Sequence, residues 1–294
     1  MLRPPATLRV AMRAGISMQA GSLRKGKEKG TRGERGTINM IILKSEKEIE
    51  IMRQGGKRLA RILRRLEREI KPGKTTGELE KLALSLFAQA GGEPAFKGYK
   101  ASEDSRPYPT ALCVSINDEV VHAPALPTRP FIAGDIVGID IGMGYNGYYT
   151  DMAVTVGVGK ISKEAERLIE ITKKSLKLAI KTVRPNASLN DIGRTVEDYV
   201  LSQGLSVVRD LVGHGIGLSI HEEPQVANFS SEFGKKVILK EGMVLAIEPM
   251  VNAGNYETMN DRNGFTIRTS DGSLSAHFEH TVAVTKRGHK ILTE

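Results

Sequence analysis

Gly134-Asp135-Ile136-Val137-Gly138-Ile139-Asp140 and Gly242-Met243-Val244-Leu245-Ala246-Ile247-Glu248 are two versions of one pattern. Each opens on a glycine turn, continues as a short apolar run and ends on a carboxylate. Runs of this length and composition read as buried strands. A carboxylate at the end of such a strand is out of place unless something nearby compensates its charge. That the same misfit recurs at the same place in two strands makes it a design feature of a duplicated fold.

The duplication extends outward from these strands. Before the first, Ser45 and Glu48 form a capping-box pattern, and Ile49, Met52, Leu59, Ile62, Leu63, Leu66 and Ile70 recur at helical spacing, predicting a helix from Ser45 to Ile70. Lys71-Pro72-Gly73 ends it. A second helix starts at Thr75, with Glu78 completing its box, and stops at Gly91-Gly92; Leu79, Leu82, Ala83 and Leu86 form its inward side. Later, Ser162 opens a helix with Ala165, Leu168, Ile169, Leu176 and Ile180 inward, ended by Arg184-Pro185-Asn186. Ser188 and Asp191 repeat the box and Gly204 closes the fourth helix. Lys71 to Gly91 aligns on Arg184 to Gly204 without a gap. His122-Ala-Pro echoes His221-Glu-Glu-Pro, and Asp151-Met-Ala-Val-Thr-Val echoes Glu279-His-Thr-Val-Ala-Val. Two copies of helix, helix, then acid-tipped strands predict an α+β fold of two similar halves around a shared core rather than a repeat array.

The acids carry the chemistry. Asn146-Gly147 is a hairpin signal, and pairing about it brings Asp140 and Asp151 nearly opposite each other. Facing carboxylates repel unless a cation lies between them; the alternative is a pair of turn aspartates, the reading adopted for Asp135 after Gly134. Pro249 keeps Glu248 extended. Glu279 lies in Ala276-His277-Phe278-Glu279-His280-Thr281-Val282, an alternating strand pattern; taken alone it reads equally as a solvated position. His277 shares its face, His280 points the other way, and His289, near the end, reads as solvent-exposed. His214 lies in Val212-Gly213-His214-Gly215-Ile216-Gly217, where flanking glycines permit close backbone approach. A lone loop histidine is usually not a ligand, but this one has a carboxylate set to join. Asp140, Asp151, His214, Glu248 and Glu279 balance two divalent cations, and such a donor set suits Mn, Fe(II), Co or Zn in a site unlike a cysteine-based structural zinc. Paired cations polarise a carbonyl and lower the pKa of water from about 15.7 toward about 7, so hydrolysis is the natural reaction class.

Composition bounds the rest. The chain has 294 residues, 40% of them hydrophobic, and no apolar run long enough to cross a bilayer. Its one cysteine, Cys113, forbids an internal disulfide and suits a reducing compartment. The net charge of +9 would suggest nucleic acid, but residues 1–39 contain nine Lys/Arg against Glu28 and Glu34, so +7 of it belongs to that segment and +2 to residues 40–294. The segment reads as a basic, disordered extension, even an untranslated leader with Met40 as the start; a transit peptide and a ribosome- or RNA-binding arm are the other readings. Residues 40–294 read as a single catalytic domain.

Gly-Ile-Asp140 with Thr-Asp151, Gly-His214-Gly-Ile-Gly, His221-Glu-Glu-Pro, Ile-Glu248-Pro and Phe-Glu279-His-Thr resemble the type I methionine aminopeptidases, from about Met40 to the end of the chain. The resemblance implies the pita-bread fold: two pseudo-symmetric halves, a curved, mainly antiparallel sheet, helices outside and a central dinuclear metal site. It implies that Asp140 chelates one metal, His214 and Glu248 the other, and that Asp151 and Glu279 bridge both. It further implies that His122 and His221 contact substrate rather than metal; their structural alternative is simple loop packing, against which their equivalent places in the repeat argue. Glu248 would also relay the proton. The methionine pocket would include Tyr108 and Cys113, with Ile220 and Phe265 where the family often has Phe and Trp. The loop Ser102 to Arg106 departs from the family pattern.

The activity implied is removal of the initiator methionine from nascent polypeptides, with a small second residue preferred. The implied protein is a cytoplasmic monomer with no membrane segment; residues 1–39 would supply ribosome contact or organelle targeting. An X-Pro aminopeptidase or prolidase is the alternative enzyme. A catalytically dead ribosome- or RNA-binding relative is the alternative from another class, and the intact set of five ligands speaks against it.

Overall fold

The computed structural model describes residues 41–294; the readings of the basic segment 1–39 and of Met40 lie outside the described residues. Four long helices appear where expected, three behind capping boxes and one behind the N-cap Ser162. Helix α1 spans Glu46–Glu67, with the Ser45 N–H donating to the Glu48 carboxylate at 2.7 Å. It stops three residues before the predicted end, and Ile70 is buried in the turn that follows. Helix α2 spans Thr76–Ala90, boxed by Thr75 and Glu78 and closed by Gly91 at φ 65°. Its inner face differs from the expectation: Leu79 and Ala83 are buried, but Glu80 and Phe87 join them while Leu82 and Leu86 are half-buried. Glu80 tolerates the interior because its carboxylate accepts the Ala111 N–H at 2.9 Å. Helix α3 spans Lys163–Thr182 and α4 Leu189–Ser202, the latter boxed by Ser188 and Asp191. A short α5, Glu232–Lys236, was not anticipated.

Each half has its own core. Helices α1 and α2 pack Leu59, Leu63, Leu66, Leu79 and Phe87 against Val137, Ile139 and Ile141. Helices α3 and α4 pack Leu168, Leu176, Ile192 and Val196 against Leu245, Ile247 and Val282. The strands pair antiparallel throughout, in ladders of four, three, three and five strands.

In the first half, Ile136–Tyr145 and Tyr148–Gly157 form the predicted hairpin. Asn146 and Gly147 both have positive φ, 49° and 82°, the signature of a type I′ turn. The register pairs Asp140 with Ala153 and Gly142 with Asp151, so the two aspartates are diagonal neighbours on one face.

In the second half, Ile247 pairs with His280 in one ladder and Met250 with His277 in another. The two ladders share one register, interrupted where Glu248-Pro249 faces Phe278-Glu279. Pro249 has no N–H to give the ladder. Released from pairing there, the Glu279 N–H donates to the Ala153 carbonyl of the first half at 2.9 Å. The predicted continuous strand through Glu279 is therefore broken at that residue, and the break lies where the halves meet.

Candidate active site

The strands of both halves deliver carboxylates to that junction: Glu248 follows a strand end as expected, whereas the strands of Asp140 and Asp151 run on past the acids instead of ending at them. Ligand atoms of Asp151, His214 and Glu279 lie within 4.8 Å of one another, and all three residues are buried. Glu248 Oε1 is 3.5 Å from His214 Nε2, and Glu248 Oε2 is 3.6 Å from His277 Nε2. Asp140 shares the hairpin face with Asp151 and feels the Glu248 charge. All five sequence-selected residues are thus brought to one place, and His277 joins them.

His214 arrives on the strand Gly213–Gly215, and both glycines are obligatory. A Cβ on Gly213 would lie 2.3 Å from the Ala246 carbonyl oxygen, and one on Gly215 would lie 2.2 Å from that of Glu223. The ring is fixed by His214 Nδ1 against the Gly215 carbonyl at 2.8 Å. A carbonyl only accepts, so Nδ1 carries the proton and Nε2 turns its lone pair toward the acids, as a metal-binding imidazole requires.

The electrostatics of the bare cluster are severe. Burial raises the carboxyl of Asp140 to about 6 and that of Glu248 to about 7. Burial and neighbouring negative charge push Asp151 and Glu279 well above the usual carboxylate range. Asp140 Oδ1, Asp151 Oδ1, Glu279 Oε1 and His277 Nε2 are buried without a protein hydrogen-bond partner. Orphaned buried acceptors of this kind call for compensation, and a divalent cation supplies what the protein does not.

His122 and His221 overlook the cluster. His221 packs edge-on against His214, ring centroids 4.5 Å apart, and its Nδ1 lies 2.8 Å from the Tyr99 hydroxyl. Burial, then the neighbouring imidazoles, hold His122 down at about 4 and His221 well below the usual histidine range, so both are neutral near pH 7. His122 adopts φ 59°, a conformation that costs a non-glycine residue on the order of 1–3 kcal/mol. Tyr99 was invisible to sequence reading, since nothing in Gly98-Tyr99-Lys100 marks it.

The four pocket candidates connect to the cluster through short contacts. Cys113 pairs with Asp140 across the strands, and the Tyr108 hydroxyl donates to Cys113 Sγ at 3.1 Å. Burial pushes both groups upward, so both stay neutral. Phe265 stands edge-on to Tyr108 at 5.6 Å. Ile220 lies across the cleft, close to Gly142; a Cβ on Gly142 would meet Ile220 Cδ1 at 3.1 Å and Phe96 Cε1 at 3.0 Å. Phe96, which sequence reading missed, stands beside Gly142 and edge-on to Tyr108 at 6.4 Å. The loop Ser102 to Arg106 packs on this wall through its last residue, with Arg106 Nη2 donating to the Asn263 carbonyl at 2.7 Å and its guanidinium 4.7 Å above the Phe265 ring.

The remaining histidines separate as follows. His280 turns away from the acids to Thr293 Oγ1 at 3.0 Å. His289 corrects its expectation: it is half-buried, with Nδ1 against the Val183 carbonyl at 3.0 Å. Asp135 is the turn residue expected, its carboxylate accepting the Ile132 N–H and the Asn117 amide.

Residues 50–286 match metallopeptidase family M24. The chain belongs to this family. The methionine aminopeptidase of Clostridium perfringens is 46% identical to this M24 peptidase over 255 residues, 86% of this chain and 99% of the relative. That of Escherichia coli is 40% identical over 254 residues, covering 86% and 94%. The crystal structure of methionine aminopeptidase from Thermotoga maritima superposes with a TM-score of 0.82 at 43% identity, covering 87% and 100% of the two chains. A prolidase from Pyrococcus horikoshii shares the fold with a TM-score of 0.68 at 24% identity, but this chain covers only 64% of it. The pita-bread fold is therefore present, and the chain is a hydrolase of metallopeptidase type. Family membership implies divalent metal, and the buried, unpartnered oxygens at Asp140, Asp151 and Glu279 fit that requirement. Among the described residues no helix is long and apolar enough to cross a membrane.

Proposed function

We propose that this M24 peptidase removes the initiator methionine from nascent polypeptides, preferring a small second residue. The observation that carries the reading is the buried group of Asp151, His214 and Glu279, flanked by Asp140 and Glu248 and overlooked by two neutral histidines. Relatives named methionine aminopeptidase align over nearly their whole length, whereas the prolidase likeness supports the fold alone.

In this reading Asp140 would hold one cation and His214 and Glu248 a second, with Asp151 and Glu279 serving both. Mn, Fe(II), Co or Zn suits the donor set. Bound there, the ions would polarise the scissile carbonyl and acidify water. Glu248 would accept the proton that water releases and hand it toward the leaving amine. His277 Nε2 stands 3.6 Å from the Glu248 carboxylate, close enough to respond to its charge. His221, oriented by Tyr99, and His122 present neutral rings able to hydrogen-bond the substrate and the developing oxyanion. Tyr108, Cys113, Ile220, Phe265 and Phe96 surround the methionine side chain and exclude water.

Residues 40–294 act as one catalytic domain, monomeric and cytoplasmic, with nascent N-termini as partners and the basic segment 1–39 as the candidate contact to the ribosome. Cleavage of Met-Ala-Ser by protein reloaded with Mn(II) or Co(II), compared with an X-Pro peptide, tests the assignment. Preferential X-Pro cleavage would replace it with the prolidase reading, and inert, metal-free protein with the non-catalytic one.

A further inference from the structure

His122 holds a left-handed backbone conformation at φ 59°, and something must hold it there. Both chain flanks of this residue converge on one side chain that lies outside the metal cluster. The Arg129 guanidinium grips the Glu119 carboxylate, three residues upstream of His122, through Nη1 at 2.6 and 2.7 Å. Its Nη2 donates to the Pro124 carbonyl, two residues downstream, at 3.2 Å, and to the Val114 carbonyl on the neighbouring strand at 2.7 Å. One planar fork therefore spans the turn that carries His122.

The anchor itself is braced. Glu119 is 4% exposed, accepts the Ile116 N–H at 2.8 Å and takes a further bond from Arg268 Nη2 at 2.8 Å. Arg268 also bonds Asp118 and Asp261 at 2.7 Å each. Beyond the turn, the Arg129 N–H donates to Thr76 Oγ1 at 3.0 Å, and that hydroxyl donates to the Ala125 carbonyl at 2.6 Å. The charge-assisted part of this network has geometry that only a guanidinium fork provides; a lysine ammonium is a point donor and cannot reach Glu119, Val114 and Pro124 together.

We propose that Arg129 is a positioning residue for the hydrolytic reaction: by clamping Glu119 and Pro124 on either side of His122, it keeps that imidazole aimed into the cleft. The inference rests on the aminopeptidase reading, in which His122 contacts substrate. It makes Arg129 part of the rate-determining geometry without contact to metal or substrate.

The test is a double-mutant cycle on metal-loaded full-length protein with Met-Ala-Ser as substrate. Arg129→Met is expected to lower kcat about tenfold with KM changed by less than about threefold, because a displaced acid–base or oxyanion group costs turnover more than binding. In a His122→Ala background the same Arg129→Met change should lower kcat by less than about twofold, since the residue being positioned is gone. Glu119→Gln, which preserves shape and weakens the grip, should show the same non-additivity at smaller amplitude; it carries the test if Arg129→Met does not fold. Arg129→Lys should rescue little. Equal losses in both backgrounds, or a kcat for Arg129→Met and Glu119→Gln equal to that of the parent, would overturn the proposal. Failure of the parent protein to cleave Met-Ala-Ser would instead overturn the functional reading, so the two outcomes are distinct.

Discussion

Asp151 and Thr281 exchange hydrogen bonds across the junction of the two halves. The Asp151 N–H donates to Thr281 Oγ1 at 2.9 Å, and the Thr281 hydroxyl donates to the Asp151 carbonyl at 2.8 Å. Thr281 is fully buried, and it lies two residues beyond Glu279, so one hydroxyl fixes the relative position of two candidate metal-bridging carboxylates. Thr281→Val keeps the shape and removes both bonds. It leaves a buried N–H and a buried carbonyl unpaired, at a cost of about 1–3 kcal/mol for each such group. Denaturant unfolding of the metal-free variant should show a loss of that order, and metal titration a weakened site. Thr281→Ser should recover both.

Protons and metal compete for the same oxygens. Asp140 rises from 3.8 to about 6 and Glu248 from 4.5 to about 7, burial being the leading cause for both. A folded-state value above the unfolded one means that the folded chain retains a proton the unfolded chain has lost. The stabilisation this gives is complete below about pH 4 and disappears as pH rises through about 6 to 7. Cations must displace those protons, so metal affinity should climb over the same window. Calorimetric titration between about pH 5 and about pH 7.5, in buffers of different ionisation enthalpy, should show tightening binding with net proton release. Asp140→Asn should weaken binding and flatten that slope. Unchanged binding and turnover in this variant would remove Asp140 from the metal site.

Turnover and metal retention should separate at His221. Its Nδ1 is occupied by Tyr99 at 2.8 Å, and its ring packs on His214 rather than entering the acid cluster. His221→Ala should lower kcat by about 10²–10⁴-fold, the range of a general acid–base group, while metal content stays at the parent value. Loss of metal would make His221 a ligand instead. Tyr99→Phe should produce a smaller fall in kcat, because the ring remains but one hydrogen bond that orients it is lost.

What could be read in advance follows from how local each signal is. Capping boxes at Ser45, Thr75 and Ser188 need only four residues, and their helices start where expected. Asn146-Gly147 likewise sets its hairpin, and with it the shared face of Asp140 and Asp151. The Glu279 break was illegible because its cause is remote: Pro249, thirty residues earlier, lies diagonally across the sheet, opposite Phe278. Leu82 and Leu86 gave way to Glu80 and Phe87 because a backbone N–H at Ala111 offers Glu80 a partner, which no helical periodicity encodes. The four clustered acids and their histidine were legible as chemistry out of place in apolar sequence. Tyr99, Phe96 and Thr281 join the site through tertiary contact, Arg129 braces it from outside, and none of them carries such a local misfit.

Lys44 and Glu222 were missed for the same reason, and they support the last prediction. Their charged groups form an ion pair with side chains only 2% and 7% exposed. The Lys44 N–H donates to the Gly242 carbonyl at 2.7 Å, at the head of the strand that leads to Glu248. Glu222 follows His221 and accepts the Ser219 N–H at 3.1 Å. The pair therefore ties the Glu248 strand to the loop that presents His221. Removing one partner strands a buried charge, at a cost of about 3–5 kcal/mol, whereas replacing both with apolar groups of similar volume is often neutral. Lys44→Met should lower the denaturant midpoint by the larger amount, and Lys44→Met combined with Glu222→Leu should regain much of it. The double variant still lacks the loop's Ser219 bond, so its kcat should stay below that of the parent even where stability returns. A double variant no more stable than Lys44→Met would show that local packing, rather than the stranded charge, sets the cost.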